Sequence, residues 1–200
     1  MAAQLVARGL TVEAVEPDAR MLAVLERNVP SARPHQSDAC TIPVEDQTLD
    51  AVVVADAWHW FDPEKTITEL RRVLKPGGWL GLVWNVPAEP VEDWEIELSG
   101  NPSDRYDRDT KSSEAGPRAR HWYFADEGFE VARFPWTREV TPESRVADWA
   151  TTSMAIAMSA EDRRQRMDAD RAAFQRICDR AGRPSMPVRS IASCVRWTPR

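Results

Sequence analysis

Residues 49–85 read LDAVVVADAWHWFDPEKTITELRRVLKPGGWLGLVWN, and this stretch constrains the fold more than any other. Leu49–Ala55 is a near-continuous apolar run, as expected of a parallel strand covered on both faces. Residues 63–74 predict an amphipathic helix, with Pro63 at its first position and Ile67, Leu70, Val73 and Leu74 facing inward. Lys75-Pro76-Gly77-Gly78 ends that helix, and its glycines permit a sharp reversal into a second apolar strand at 79–84. A strand, a helix and a strand in this order predict an α/β fold with a mainly parallel sheet.

The flanking text agrees. Residues 2–8 read as the end of a helix stopped at Gly9, 11–15 as a short strand, and 34–37 as a weaker one. Between these strands, 17–28 predicts a helix with Met21, Leu22 and Leu25 on its inner face, stopped at Pro30. After Asn85 the composition shifts. Residues 85–120 are rich in Pro, Asp, Ser and Glu, with Trp94 and Ile96 as anchors of a short helix. A strand is expected at 129–140, interrupted by Pro135, and helices at 144–158 and 160–181. Met167, Phe174, Ile177 and Cys178 form a core stripe on the second helix, and 189–197 alternates as a last strand. No linker is long enough to split the chain, so 1–200 reads as a single domain.

Charge and cysteine content narrow the function classes. The net charge of −6 argues against a general nucleic-acid binder. Cys40, Cys178 and Cys194 lie far apart with no CxxC, which fits a reducing compartment. No apolar leader opens the chain and no stretch approaches a membrane span, so a cytoplasmic protein is expected. No metal-ligand spacing is present.

Four pieces carry chemistry or the geometry for it. Glu16 ends a strand, where an acid in a doubly wound sheet can accept hydrogen bonds from both hydroxyls of a ribose. Asp38, in SDACTIP, follows the next strand and could hold an exocyclic amine or simply form a turn. The run VVVADAWHWFDP delivers Ala55, Asp56, Trp58, His59 and Trp60 to the carboxyl edge of the sheet, where ligands of open α/β sheets bind. His59 could act as a general base, and at least one Trp should serve packing of the loop. RRVLKPGGWLGLVWN supplies the turn geometry and no chemistry.

Together VEAVEPDARML, SDACTIP, LDAVVVADAWHWFD and LRRVLKPGGWLGLVWN resemble the class I S-adenosylmethionine-dependent methyltransferases, in particular small-molecule members of the trans-aconitate methyltransferase kind. The resemblance is strong over 5–85 and looser over 120–200. It implies a Rossmann-like sheet, mainly parallel with a C-terminal antiparallel pair. It also implies a cofactor-binding half at 1–85, and an acceptor lid with closing strands at 86–200. Glu16 and Pro17 would then lie at the ribose of S-adenosylmethionine, Asp38 and Ala39 at its adenine, and Ala55 at the cofactor edge. Trp58 and Trp60 would wall the site of a small-molecule acceptor. A carboxylate acceptor would need no base, whereas a hydroxyl or amine would use His59.

The family begins with a strand and a Gly-x-Gly loop, and this chain contains no Gly-x-Gly. An N-terminally truncated sheet is therefore expected, with a gap one strand wide between the strands at 11–15 and 49–55. Unpaired backbone there costs about 1–3 kcal/mol per buried amide. Two alternatives follow: a non-catalytic remnant without a working cofactor site, and a nicotinamide-dependent dehydrogenase using Glu16 in the same way.

Overall fold

The computed structural model describes residues 1–99 and 129–199. Its elements run α1 (Ala2–Val6), β1 (Glu13–Val15), α2 (Ala19–Asn28), β2 (Arg33–His35), β3 (Leu49–Ala55), a 3-10 turn (Trp58–Trp60), α3 (Pro63–Val73) and β4 (Leu74–Pro87). Then follow α4 (Asp93–Ser99), β5 (Glu130–Val140), α5 (Pro142–Ala150), α6 (Ser153–Ala157), α7 (Ala160–Ala181) and β6 (Met186–Trp197). The described residues fall into two units, one of 1–84, 129–132 and 193–199 and another of 85–99 and 133–192.

In the first unit β1 and β2 pair in parallel, with Glu13 opposite Arg33 and Val15 opposite His35. The Glu13 carboxylate accepts from His35 Nε2 at 2.7 Å and Arg33 Nη1 at 3.0 Å. The His35 hydrogen bond, with Arg33 second, holds the Glu13 carboxyl below its ordinary range. This pair forms a sheet of its own. The second sheet has the order β3-β4-β6-β5, with β3 and β4 parallel and antiparallel strands beyond them. Among the described residues, β1 and β3 each pair on one edge only. The expectation of a strand covered on both faces is corrected: Val52, Val53 and Val54 are half-buried.

Helix α3 forms as its sequence dictates. Asp62 caps it by accepting from the Lys65 N–H at 3.2 Å, Pro63 opens it, and Leu70 and Val73 are buried. β4 begins earlier than expected, at Leu74, and a register irregularity between Leu49 and Ala51 absorbs the Pro-Gly-Gly. Gly77 has φ +80°, a left-handed conformation. A Cβ on Gly78 would lie 2.9 Å from the Lys75 carbonyl oxygen and 3.2 Å from those of Leu49 and Asp50. Both glycines are therefore fixed by the reversal. Leu80, Leu82 and Trp84 of β4 and Val195 and Trp197 of β6 complete this core.

Other boundaries differ for identifiable reasons. Met21 is exposed and only Leu22 of its helix is fully buried, since β2 and β1 are three residues each and offer little surface. In the second unit the expected helix at 144–158 is two helices, because Thr152 accepts from the Ala155 N–H and starts a new one. Ile96 is exposed, and Leu98 with Trp94 packs on the cluster of Val140, Phe174, Ile177, Cys178 and Met186 instead. β5 runs through Pro135 without a break. It is the last strand of its sheet, where a missing N–H costs little.

Among the described residues of the second unit, Glu95 is the acid whose pKa is lowered most. It accepts from Arg189 Nε at 3.0 Å and Nη2 at 2.6 Å, and from the Val91 and Glu92 N–H groups. Arg189 first, then those backbone bonds, bring its pKa down to about 2 from an ordinary 4.5. A folded-state pKa below the unfolded one stabilises the fold above the unfolded value and loses that stabilisation as pH falls through the folded one. Denaturant titrations from pH 6 to pH 2 should thus show stability falling below about 4.5, and Glu95→Gln should flatten that acid limb. An unchanged limb in the variant would show that other carboxylates carry it.

Candidate active site

The candidate residues lie in the first unit, at the carboxyl ends of parallel strands. Glu16 follows β1 directly. Its N–H donates to the His35 carbonyl at 3.1 Å, so the strand pairing extends to it. Its Oε1 accepts from the Asp18 N–H at 2.9 Å, which orients the half-buried carboxylate and leaves Oε2 available. Asp18 pairs with the Arg20 guanidinium and caps α2 through the Arg20 N–H, and these bonds, the guanidinium first, lower its pKa to about 2.

After β2 the chain makes a tight turn. Asp38 Oδ1 accepts from the Cys40 N–H at 2.9 Å, and the Ser37 hydroxyl donates to the Thr41 carbonyl at 2.5 Å. The following loop is pinned to α3. Arg72 donates to the Ile42 and Val44 carbonyls at 2.7 and 2.8 Å and pairs with Asp46 and Glu69. Glu69 in turn accepts from the Ile42 N–H at 2.6 Å. The arrangement leaves a cleft of about 470 Å³ lined by Pro17, Gln36, Ser37, Asp38 and Thr41. Two expected residues, Pro17 and Asp38, thus meet across the β1–β2 ends. Glu16 and Ala39 adjoin them in sequence and do not line the cleft. Gln36, whose side chain reaches the Pro17 carbonyl at 3.5 Å, was not foreseen. Its place directly after a short strand, one residue before the Ser-Asp turn, is the signal that could have found it.

The other candidates sit on a different sheet, after β3. Ala55 pairs with Val83 and is exposed at the edge. In the 3-10 turn, residues three apart share a side. Trp58 is accordingly buried edge-on to Phe61, with ring centroids 5.7 Å apart. His59 and Trp60 face outward, 5.0 Å apart, and Trp60 is 68% exposed. Asp56, one residue beyond the strand, has φ +49°. Among the described residues no group of His, Cys, Asp and Glu could hold a metal ion, and no helix is long and apolar enough to cross a membrane.

Known proteins share this layout. Residues 1–82 match the model of a methyltransferase domain family. An uncharacterised methyltransferase of Mycobacterium tuberculosis (strain ATCC 25618 / H37Rv) is 35% identical over 199 residues, 98% of this chain and 77% of that protein. A methyltransferase-like protein of Schizosaccharomyces pombe is 38% identical over 133 residues, 65% of this chain and 50% of that one. Among solved structures, a candidate type II methyltransferase from Anaeromyxobacter dehalogenans superposes with a TM-score of 0.66 at 20% identity, over 98% of this chain and 83% of that one. The parallel α/β layout and 35% identity to a methyltransferase over nearly the whole of this chain agree with the motifs at 49–85: the chain belongs to the class I S-adenosylmethionine-dependent methyltransferases.

Proposed function

We propose that this chain binds S-adenosylmethionine with the adenosine half at the β1–β2 cleft and presents a small-molecule acceptor at the Trp58–Trp60 turn. The single observation that carries this reading is the cleft itself. It brings Pro17 and Asp38 together beside Glu16, whose Oε2 is unengaged and whose Oε1 is held by a backbone N–H. It is an open depression rather than an enclosed pocket, so its lining chemistry and not its volume supports the reading. Gln36, Ser37 and Asp38 of its lining fit a nucleoside base, and Glu16, next to Pro17 in sequence but outside the lining, offers a carboxylate for ribose hydroxyls. Bound S-adenosylmethionine supplies a methyl group on an electrophilic sulfonium. The chain's own residues position the reactants and keep water away, which is where proximity catalysis gains most. A carboxylate acceptor would ask for no proton removal. A hydroxyl or amine would pass its proton to the exposed His59 imidazole.

Titration of the 200-residue chain with S-adenosylhomocysteine by calorimetry tests the reading. Saturable 1:1 binding is expected, undiminished by excess NAD. Displacement by NAD would favour the dehydrogenase alternative. No binding, together with the lack of a cooperative melt, would favour the non-catalytic remnant.

A further inference from the structure

Resting on the methyltransferase reading, the geometry points to one acceptor class. We propose that Asp56, His59 and Trp60 form a lip that binds an amine acceptor in its protonated, cationic form in preference to a carboxylate; the N–H proton then passes to the His59 imidazole and frees the nitrogen lone pair for the sulfonium methyl, with S-adenosylhomocysteine leaving.

The argument starts at the backbone. β3 stays paired up to the Asp56 N–H, which donates to the Val83 carbonyl at 2.9 Å. At that residue the chain turns into the left-handed region, φ +49°. Such a conformation in a residue with a Cβ costs free energy and persists where the surroundings enforce it, often at ligand sites. Asp tolerates it better than most residues.

The side chain gives the second observation. Other loop aspartates of this unit have structural tasks. Asp18 and Asp62 cap helices and pair with Arg20 and Lys65, and Asp38 closes its own turn. Asp56 is exposed, and among the described residues its carboxylate makes no hydrogen bond or ion pair. Its charge is left for a ligand or for water.

The third observation is the way the turn divides its aromatics. Trp58 and Phe61 anchor it from inside, so the outward Trp60 is held by its neighbours and not by its own burial. A Trp ring that is 68% exposed, tilted against His59, offers a π face at the sheet edge. Cations bind such faces. Segment 55–62 carries Asp56 and Asp62 and no Lys or Arg, and Asp62 is already paired with Lys65. An anionic acceptor would be repelled by the uncompensated Asp56 carboxylate, whereas an ammonium is attracted both to that carboxylate and to the exposed Trp60 ring four residues along the same segment.

The test needs no cofactor. Tetramethylammonium chloride is titrated into the 200-residue chain at constant ionic strength, with sodium acetate in parallel, and the Trp60 indole N–H is followed by NMR. Trp60→Phe assigns that signal. The expected result is a saturable shift with the cation and none with acetate. Asp56→Asn keeps the tolerance for positive φ and removes only the charge, and should weaken the cation by about 2–5-fold. Trp60→Leu removes that signal, so its cation affinity is read from the backbone N–H signals of Asp56 and His59, and it should fall by a similar ~2–5-fold. Both variants should bind S-adenosylhomocysteine as the parent does. The proposal is overturned if the cation causes no saturable shift, if acetate saturates instead, or if Asp56→Asn leaves cation binding unchanged. It is also overturned if that variant loses S-adenosylhomocysteine, which would assign Asp56 to the cofactor. Failure of the parent chain to bind S-adenosylhomocysteine would instead count against the cofactor reading and leave the cation result standing by itself.

Discussion

Leu80→Ala should lower the unfolding free energy by about 2–5 kcal/mol. Leu80 is fully buried, sits opposite Val52 in the β3–β4 pairing, and lies beside Leu70, Val73 and Leu82 in the set of most deeply buried side chains. Removing its outer methyls leaves a cavity that a strand cannot collapse around, because its backbone is pinned by pairing to β3. Domains are stable by only about 5–15 kcal/mol, so this loss alone could halve the margin. Urea denaturation of parent and variant gives the number. Met154→Ala, at a residue 66% exposed, is the control and should stay within about 0.5 kcal/mol of the parent. A loss under ~1 kcal/mol at Leu80 would mean that β4 is not packed as described.

Glu16→Gln should weaken S-adenosylhomocysteine by about 10–100-fold, with little change in melting temperature. The amide oxygen of Gln can still accept from the Asp18 N–H, so the contact that orients the side chain survives. What is lost is the second carboxylate oxygen and the charge. A hydrogen bond to a charged group contributes roughly 1.5–3 kcal/mol, and about 1.4 kcal/mol is tenfold in affinity. Calorimetry on folded variant protein measures it. Equal affinity for parent and variant would remove Glu16 from the ribose role and move attention to Ser37 and Asp38, which line the cleft.

Much of the fold was legible in the sequence where a local pattern and tertiary burial agree. The run at Leu49–Ala55 and the capped helix from Pro63 each specify one conformation, and each formed, whereas the Pro-Gly-Gly expected before 79–84 lies within β4 as a register irregularity. Patterns misled where the partner surface is small. Met21 has the helical spacing of a core residue, yet two three-residue strands cannot cover it. Pro135 breaks a strand by propensity, and position at the sheet edge overrode that. At the candidate site, Pro17 and Asp38 were legible because acids and turns after parallel strands mark the ligand edge. Gln36 was not, since a polar residue in a loop carries no pattern. Asp56 could be placed at the edge from sequence, but its left-handed backbone and unengaged carboxylate emerged only from the structure.

The separation of β1–β2 from β3–β4 bears on cooperativity. No ladder of backbone bonds joins the two sheets among the described residues; the links between them include the Arg72–Glu69 anchoring of the 42–46 loop on α3 and the Gln47 and Thr48 N–H bonds to the Arg72 and Val73 carbonyls. Sheets joined through a loop rather than by strand pairing can open one at a time. A ligand held only by the β1–β2 cleft would steady that piece alone, while one that also reaches the lip after β3 would make the two melt as one. Substrate would then act as part of the unit's framework, and the native state would be most cohesive when it is at work.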